Sequence, residues 1–304
     1  MIHITDAMVE EAVPIADAQR ALAEAFAAFD RGEAGMQERV RSTAGGVRLS
    51  MLGALIPGEG FAGAKIYTTI AGAFSFAIVL FSTTTGALLA VLDANAITRL
   101  RTAACTVIAA RYLARPQSRR LALFGAGVQG RAHAVQLAAA YPLESILLVS
   151  QRNRPEVAAE VEAESGVATR LSSADEALAA ADIVVTASRS RTPLFPGAAI
   201  PPGTFVAAVG SSLPASREID DAALSRASRI AVEWREQSLR EAGELVQAAP
   251  GVIEPGKIVE LGELITGKAP GRVTAGEITV YKSVGVGIED IAVAALAYRR
   301  IVGA

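Results

Sequence analysis

Three basic side chains near the start of the chain have positions from which they could do chemistry. Arg41 lies in a short basic run, Lys65 stands in the middle of an apolar strand candidate at residues 63–67, and Arg101 lies in an alanine-rich helix candidate. A lysine in an apolar strand is costly to bury unless it has a partner or a chemical role. The plain alternative is that Lys65 extends its ammonium group to solvent and that Arg101 lies on an exposed helix face.

Histidine chemistry has little to draw on in this sequence. The chain has two histidines, His3 and His133, and neither has the spacing of a metal ligand. A serine–histidine–aspartate triad or a histidine-based dehydrogenase mechanism is therefore not expected. Catalysis has to rest on lysine, arginine, carboxylate or serine side chains, and we expect no metal site.

The most informative motif is a G-x-G-x-x-G turn made by Gly125, Gly127 and Gly130. It follows an apolar strand candidate at residues 121–124 and leads into an alanine-rich helix candidate at residues 131–140. In a dinucleotide-binding turn the first glycine permits the bend, the second lets the pyrophosphate approach the backbone, and the third lets helix and strand pack closely. The helix N-terminus then offers N–H groups to the phosphates. Glycine-rich turns also occur for packing alone, and the flanking elements favour the nucleotide site.

The residues after the next strand candidate, at residues 145–149, indicate which dinucleotide binds. NAD-binding sites usually place an aspartate or glutamate there to bind the ribose 2′-hydroxyl. This chain has Ser150, Gln151 and Arg152 and no acid. Small polar groups and an arginine suit a 2′-phosphate, so we expect NADPH, with NADH possible and Arg152 as the main phosphate partner. The alternative is a solvated basic turn.

Composition limits the other classes of function. The chain has 304 residues, 51% of them hydrophobic, and a net charge of −2, which suits two domains and gives no electrostatic basis for binding nucleic acid or an anionic membrane. A single cysteine, Cys105, excludes an internal disulfide and fits a reducing cytoplasm. The charged N-terminus is unlike a signal peptide, and the apolar residues 69–80 are too few to span a bilayer. We therefore expect a soluble cytoplasmic protein.

Two patterns of elements divide the chain. Residues 1–30 indicate a strand and a helix, residues 37–92 indicate several strands without intervening helices, and residues 94–113 indicate a helix. Strand and helix candidates then alternate, with strands at 121–124, 145–149, 182–186, 204–209 and 229–232 and helices at 131–140, 155–165, 173–180 and 218–226. A last helix candidate covers residues 282–302 and is expected to cross back to the first domain.

The predicted fold class is therefore α/β. Alternating strands and helices favour a Rossmann-type parallel-sheet domain that binds NAD(P), which we place at residues 116–279. The β-rich remainder, residues 1–115 with 280–304, is expected to form a separate domain for substrate binding or assembly.

Several motifs together make the chain resemble the ornithine cyclodeaminase/mu-crystallin family over essentially its whole length. They are Val40-Arg41-Ser42, Gly63-Ala64-Lys65, Leu100-Arg101-Thr102-Ala103-Ala104, Gly125-Ala126-Gly127-Val128-Gln129, Val206-Ala207-Ala208-Val209-Gly210-Ser211-Ser212 and Lys282-Ser283-Val284-Gly285. The resemblance implies a homodimer formed through the β-rich domain, which makes it the substrate and dimerisation domain. It also implies an active site in the cleft between that domain and the nucleotide domain.

The resemblance implies roles for residues at matching positions. Arg41 is similar to the residue that binds the substrate carboxylate, and Lys65 to the lysine that faces the substrate beside it. Further substrate contacts are implied for Arg101 and Val284. The implied cofactor contacts are Arg101, Thr102, Gly125, Ala126, Gly127, Val128, Gln129, Gly130, Thr186, Val209, Gly210 and Ser283.

One position departs from the family pattern. Cyclodeaminases and the related alanine dehydrogenases have an aspartate where this chain has Ser212. Oxidising an amine requires a group that removes protons, which a carboxylate does and a serine hydroxyl does not without an activating base. Reducing a ketimine needs only a hydride at carbon, a proton at nitrogen and a cation for the carboxylate. The run from Gly210 to Pro214 is similar to that of members that reduce cyclic imino acids.

These observations predict an NADPH-dependent oxidoreductase that acts on a small imino acid. The expected substrates are Δ1-pyrroline-2-carboxylate and Δ1-piperideine-2-carboxylate, which give L-proline and L-pipecolate and a role in proline metabolism. Arg41 binds the carboxylate, Lys65 supplies the proton, and Ser212 stands in the catalytic set in place of the acid. The open alternatives are an ornithine cyclodeaminase or amino-acid dehydrogenase, a non-catalytic NADPH-binding protein of the mu-crystallin kind, and a reductase of some other imine.

Overall fold

A computed structural model of the protein describes residues 1–151 and 154–303. The chain divides into two units, the first made of Met1–Cys105 with Gly285–Ala304 and the second of Thr106–Val284. These boundaries differ from those expected at residues 115 and 280. The first division falls inside the helix Asn95–Leu113, whose continuous helical pattern hides it. The second falls after a strand, Ile278–Lys282, whose last residue the sequence analysis had placed in a helix.

The first unit begins with strands and helices that alternate little. Its second helix begins after Pro14, and its apolar residues at positions 18, 22, 25 and 26 form one buried stripe. The chain turns after this helix at Gly32, which has φ +75°. The elements in chain order are β1 (Ile2–Ile4), α1 (Asp6–Ala12), α2 (Ile15–Asp30), β2 (Gly35–Met36), β3 (Val40–Ala44), β4 (Val47–Ile56), β5 (Phe61–Ile70), β6 (Ala73–Ser82), β7 (Leu88–Asp93) and α3 (Asn95–Leu113). A 3₁₀ turn, Pro57–Glu59, joins β4 to β5.

The described strands of the first unit form one sheet with two unlike faces. Its order is β1-β7-β6-β5-β4-β2, and β3 pairs with β4; β1 runs parallel to β7 and the other pairings are antiparallel. Leu52, Ile78 and Leu80 lie buried on one face, whereas Met51 and Leu55 lie exposed on the other. This alternation is the period-2 pattern of a sheet that is covered on one side.

The second unit has the alternation predicted for a nucleotide domain. Its elements are β8 (Arg120–Phe124), α4 (Val128–Ala140), β9 (Ser145–Val149), α5 (Pro155–Ser165), β10 (Thr169–Leu171), α6 (Ala174–Ala180), β11 (Ile183–Thr186), β12 (Phe205–Ala208), α7 (Asp221–Arg226), β13 (Ala227–Val232), α8 (Arg235–Glu241), α9 (Gly243–Val246), β14 (Ile258–Glu260), α10 (Leu261–Thr266) and β15 (Ile278–Lys282). A 3₁₀ turn, Gly197–Ala199, follows β11.

The described strands of the second unit form a parallel sheet in the order β10-β9-β8-β11-β12-β15-β13-β14. From β8 the chain proceeds outward through β9 and β10, and it then returns to the other side of β8 at β11. Ligands of open parallel sheets bind at the carboxyl ends of the strands where this reversal occurs. The α/β class and the Rossmann-type sheet are thus confirmed.

Two sequence predictions about elements were wrong at their boundaries. Residues 278–282 form the central strand β15, and the last helix, α11 (Gly287–Val302), begins five positions after Lys282 and belongs to the first unit. Lys282 is fully buried in that strand, where its ammonium group lies 2.9 Å from a carboxylate oxygen of Glu244. The sequence pattern does not reveal this partner. Helix α4 begins at Val128 rather than near residue 131, since Gly130 is tolerated within its first turn.

Candidate functional site

Lys65 lies on the covered face of the first unit's sheet, in the middle of β5. Its side chain is 2% exposed, and its Nζ donates a hydrogen bond to Asp290 Oδ1 at 2.8 Å. The rings of Phe76 and Tyr67 lie nearby, with centroids 5.4 and 6.0 Å from Nζ. The lysine is therefore neither solvent-exposed nor unpaired, and the plain alternative from the sequence is wrong.

The close packing of α11 against the sheet explains why Asp290 reaches Lys65. A Cβ added to Gly287 would come within 2.2 Å of the Gly53 carbonyl oxygen, and one added to Gly63 would come within 2.8 Å of Ile291 Cδ1. Only glycine permits this separation, which brings the first turn of α11 directly onto β4 and β5. Asp290 lies in that turn.

Arg101 joins the same cluster from α3. Its Nη1 donates to Glu289 Oε2 at 2.5 Å, and its Nε lies 3.3 Å from Asp290 Oδ1. The other oxygen of Glu289 accepts the backbone N–H of Val286 at 3.0 Å, which fixes the start of α11. Arg101, Glu289 and Asp290 are all buried, so the prediction that Arg101 could lie on an exposed helix face is also wrong.

The cluster changes the proton affinity of its two bases in opposite directions. Burial lowers the pKa of Lys65 to about 8, because the attraction of Asp290 is offset by repulsion from Arg101 and Arg39. Burial acts to lower the pKa of Arg101 as well, but Glu289 and Asp290 together raise it above its ordinary value. At neutral pH Lys65 is therefore mostly protonated yet holds its proton less firmly than an exposed lysine.

Arg41 lies on the same sheet face as Lys65, two strands away. It pairs in register with Ser50 of β4, which pairs in turn with Tyr67 of β5, and Tyr67 is two residues from Lys65. The Arg41 side chain is half-buried. Thr102, the remaining predicted residue of the first unit, is buried and donates its hydroxyl hydrogen to the Thr98 carbonyl at 2.7 Å.

The glycine turn of the second unit has the geometry of a phosphate-binding turn. Gly125 has φ +108°, and a Cβ at Gly130 would lie 1.9 Å from the Gly125 carbonyl oxygen. A Cβ at Gly127 would meet nothing within 4 Å, so the backbone there is open to an approaching group. Gly127 precedes α4 without any side-chain cap, which leaves the first N–H groups of a 13-residue helix available to an anion. These features fit a dinucleotide pyrophosphate.

The other predicted cofactor residues of the second unit gather at one edge of its sheet. Thr186 ends β11, Val209 and Gly210 follow β12, and Ser283 follows β15. Ser150 and Gln151 follow β9, Ala126 lies in the turn after β8, and Val128 and Gln129 begin α4. The strands β9, β8, β11, β12 and β15 are neighbours in the sheet, so their carboxyl ends form one continuous edge. Arg152 lies outside the described residues.

A buried glutamate holds two of these loops. Glu218 is 0% exposed and accepts hydrogen bonds from Thr186 Oγ1 at 2.8 Å, from the N–H and hydroxyl of Ser188 at 2.8 and 2.6 Å, and from the Gly210 N–H at 2.7 Å. Glu244 Oε1 accepts the N–H of Glu218 itself at 2.9 Å. Glu218 thus orders the loops that follow β11 and β12, and the Thr186 hydroxyl is one of the groups that it binds.

Two further buried groups hold the end of β15. Lys282 Nζ lies 2.9 Å from Glu244 Oε2 and donates to the Ser211 carbonyl at 2.7 Å. Glu233 accepts the Ser283 hydroxyl at 2.5 Å and the Val284 N–H at 3.1 Å. Ser212 follows the anchored Ser211 and is half-buried.

His133 is a structural residue of the second unit. Its Nδ1 lies 2.7 Å from the Gln129 carbonyl, which can only accept, so Nδ1 carries the proton and Nε2 accepts from the Thr106 hydroxyl at 2.8 Å. Burial lowers the pKa of His133 to about 4, and the imidazole is neutral at physiological pH.

Sequence reasoning missed the acidic partners of the site. Asp290 and Glu289 form an acidic pair between apolar neighbours at the start of a helix, which was the available signal. Glu218, Glu233 and Glu244 carried no comparable pattern.

Two features are absent from the part of the chain that the structure describes. No group of three or more histidine, cysteine, aspartate or glutamate side chains there is arranged to hold a metal ion. Within 1–151 and 154–303, none of the helices combines the length and apolar character needed to cross a bilayer.

The fold and the glycine turn define a protein of the dinucleotide-binding α/β class. More narrowly, the chain belongs to the ornithine cyclodeaminase/mu-crystallin family, whose sequence model matches residues 2–304. This confirms the resemblance drawn from the sequence motifs.

Three known proteins illustrate the similarity. Ketimine reductase mu-crystallin of Mus musculus is 34% identical over 223 residues, which cover 73% of this chain and 68% of that protein. The structure of a probable ornithine cyclodeaminase from Bordetella pertussis Tohama I is 54% identical, with a TM-score of 0.98 and coverage of 100% of this chain and 97% of that one. The Thermococcus litoralis Δ1-pyrroline-2-carboxylate reductase in complex with NADH and L-proline is 27% identical, with a TM-score of 0.94 and coverage of 100% and 98%.

Proposed function

We propose that this protein is an NADPH-dependent reductase of small cyclic ketimines, namely Δ1-pyrroline-2-carboxylate and Δ1-piperideine-2-carboxylate. The observation that carries the proposal is the buried Lys65 ammonium, paired with Asp290 beside Arg101. It is a proton donor whose pKa of about 8 lies close to physiological pH, as general acid catalysis requires. Relatives named as ketimine and pyrroline-2-carboxylate reductases support the same reaction.

The chemistry divides between the two ends of the C=N bond. When bound, NADPH supplies the hydride that adds to the imine carbon. Lys65 gives its Nζ proton to the imine nitrogen as the C=N π electrons move there, and the resulting neutral lysine takes up a proton from water. Arg41 binds the substrate carboxylate and orients the ring, a role that suits the planar, two-pronged guanidinium.

The surroundings of Lys65 favour a small ring without a second charge. Leu52 and Ile78 flank it on the neighbouring strands, and the rings of Tyr67 and Phe76 lie within about 6 Å of its Nζ. The two buried carboxylates of the cluster are already paired with Lys65 and Arg101, which disfavours a diamine substrate.

The decisive experiment is consumption of NADPH with synthetic Δ1-pyrroline-2-carboxylate, with identification of L-proline as product. We expect turnover by the wild type, loss of turnover in Lys65→Met, and a raised KM in Arg41→Ala. Arg48→Ala, a substitution of another arginine on the neighbouring strand, serves as the control. Absence of wild-type turnover on either cyclic ketimine, or full activity of Lys65→Met, would refute the assignment.

Ornithine cyclodeaminase is the second candidate, since the 54% identical structure is described as a probable enzyme of that kind. Release of ammonia from ornithine without net change of NAD would establish it. Ser212, at the position of the family's aspartate, speaks against it. Tight NADPH binding with no turnover on any imine would instead indicate a binding protein of the mu-crystallin kind.

NADPH is proposed over NADH because no acid follows β9, and Arg152 is proposed to bind the 2′-phosphate. Parallel titrations with NADPH and NADH test the preference, which we expect Arg152→Ala to reduce.

A pair of glycine variants tests the glycine turn itself. Gly127→Ala should fold normally and bind NADPH at least about tenfold more weakly, whereas Gly130→Ala should destabilise the unit because its Cβ would overlap the Gly125 carbonyl.

We also propose a cytoplasmic homodimer formed through the exposed face of the first unit's sheet. Large apolar side chains lie exposed on the face opposite to Lys65: Val40 at 60%, Leu49 at 48%, Met51 at 43%, Leu55 at 46% and Phe81 at 37%. An apolar sheet face of this kind suits a second, identical copy. Sedimentation should give a dimer for the wild type and a monomer for Met51→Asp combined with Leu55→Asp.

A further inference from the structure

Asp290 is the only carboxylate that forms an ion pair with Lys65 among the described residues. It is fully buried, and a single oxygen, Oδ1, lies 2.8 Å from the Lys65 Nζ and 3.3 Å from the Arg101 Nε. One carboxylate oxygen therefore serves two cations. The neighbouring Glu289 is committed to Arg101 and to the backbone of Val286.

The charged and titratable groups that face Lys65 come from four elements or segments. They are Asp290 and, through Arg101, Glu289 on α11, Arg101 on α3, Arg39 before β3, and Tyr67 on β5. The cations repel the Lys65 ammonium, and burial removes its hydration. Asp290 is the attraction that opposes both effects.

The position of Asp290 is also fixed more firmly than that of an ordinary surface acid. The turn that carries it lies against Gly53 and Gly63, where no larger residue fits. A carboxylate held in this way sets both the direction of the Lys65 side chain and its charge.

We propose that Asp290 is a positioning residue that holds Lys65 protonated and directed for delivery of its proton to the imine nitrogen. This inference rests on the proposed ketimine reduction. It means that the C-terminal helix of the first unit supplies the carboxylate that accompanies the proposed proton donor. After the proton has moved from Nζ to the imine nitrogen, the remaining charge of Asp290 favours reprotonation of Lys65 from water.

The first test is the pH profile of turnover. In the wild type kcat should decline above about pH 8 as Lys65 loses its proton. In Asp290→Asn the decline should begin about one to three pH units lower, since a neighbouring opposite charge shifts a pKa by that amount. Asp290→Glu keeps the charge, so its decline should stay near that of the wild type while kcat falls because Nζ is displaced.

Glu289→Gln is the matched control, because it neutralises the adjacent buried acid that pairs with Arg101 rather than with Lys65. The pH at which its turnover declines should be that of the wild type. An unshifted profile in Asp290→Asn, or an equal shift in Glu289→Gln, would overturn the inference. If Asp290→Asn does not fold, wild-type kcat and KM in Asp290→Glu would overturn it instead.

A second measurement needs no turnover. The chain has four lysines, Lys65, Lys257, Lys268 and Lys282, so ¹³C labelling at lysine Cε gives a simple NMR spectrum. The Lys65 signal, identified by its loss in Lys65→Met, should titrate near pH 8 in the wild type and lower in Asp290→Asn. If it does so but no ketimine is reduced, the proposed function fails while the control of Lys65 by Asp290 stands. Identical titration in both proteins contradicts that control.

Discussion

Two buried lysines, one in each unit, are held by carboxylates in different ways. Lys282 pairs with Glu244 and also donates to the Ser211 carbonyl, so its ammonium has two oxygen atoms within 2.9 Å. Lys65 has one acceptor, Asp290, which it shares with Arg101. The first arrangement fastens a loop to a strand, whereas the second pairs the ammonium group with a single carboxylate oxygen that a second cation shares. Burial alone therefore does not separate a structural lysine from a candidate catalytic one, and the partners of the ammonium group have to be compared.

Glu218 of the second unit and the carboxylates around Lys65 in the first unit also differ in the groups that they contact. Glu218 accepts four hydrogen bonds from Thr186, Ser188 and Gly210, which lie at or just after the ends of β11 and β12. The carboxylates around Lys65 and Arg101 instead face cations. Glu218 orders loops at the sheet edge where we propose that the cofactor binds, and Asp290 is the acid that we propose sets the charge of Lys65.

The largest expected effect is on catalysis in the first unit. Lys65→Met removes the proposed proton donor, and kcat for the proposed ketimine reduction should fall by about 10²–10⁴-fold, the usual contribution of a general acid. Asp290 retains Arg101 as a partner, so the thermal midpoint should change little. Steady-state kinetics and thermal unfolding test both statements, and a large loss of stability with activity retained would remove the contrast between the two lysines.

The counterpart in the second unit is an effect on stability. Lys282→Met leaves Glu244 buried without its cation, which should lower the free energy of unfolding by about 3–5 kcal/mol. The single tryptophan, Trp234, lies in this unit and reports its urea unfolding by fluorescence. Lys257→Met, at a partly exposed lysine 3.5 Å from Glu254, should cost less than about 1 kcal/mol. Equal effects of the two substitutions would contradict the structural role of Lys282.

A smaller effect is expected at Glu218. Glu218→Gln replaces one acceptor oxygen with a donor, which disturbs the loops at Thr186 and Gly210 and should weaken NADPH binding about tenfold, the equivalent of one charge-assisted hydrogen bond. Calorimetric titration measures the change. Glu176→Gln, which affects an exposed ion pair with Arg170, is the control and should bind as the wild type does.

The last expected effect is the pH dependence of stability due to Lys65. Its folded-state pKa of about 8 is below the ordinary value of 10.5, so between these two values the unfolded chain binds more protons. The free energy of unfolding of the wild type relative to Lys65→Met should therefore rise with pH in that window, by at most about 1.4 kcal/mol per pH unit. Urea midpoints at pH 7 and 9.5 for the two proteins test the sign. A relative decline would show that folding raises the pKa of Lys65.

Much of the fold followed from local patterns. The helix at residues 15–29 and the strands at residues 121–124 and 145–149 have periodic or continuous apolar sequences, and the structure has them within one residue. The short strand β10 (Thr169–Leu171) was not predicted, because three residues carry no period. Lys282 was assigned to a helix since a charged residue inside a buried strand contradicts the local pattern unless its partner, Glu244, is known.

By itself the sequence determined the α/β class, the glycine turn and the family, because backbone conformation and apolar periodicity depend on residues that are close along the chain. The tertiary structure decided how the charged residues are paired. Asp290 is 225 positions from Lys65, and no local pattern links them. The close approach of Gly287 to Gly53 brings the acid to the lysine, and burial then makes the strength of that contact depend on every charge nearby.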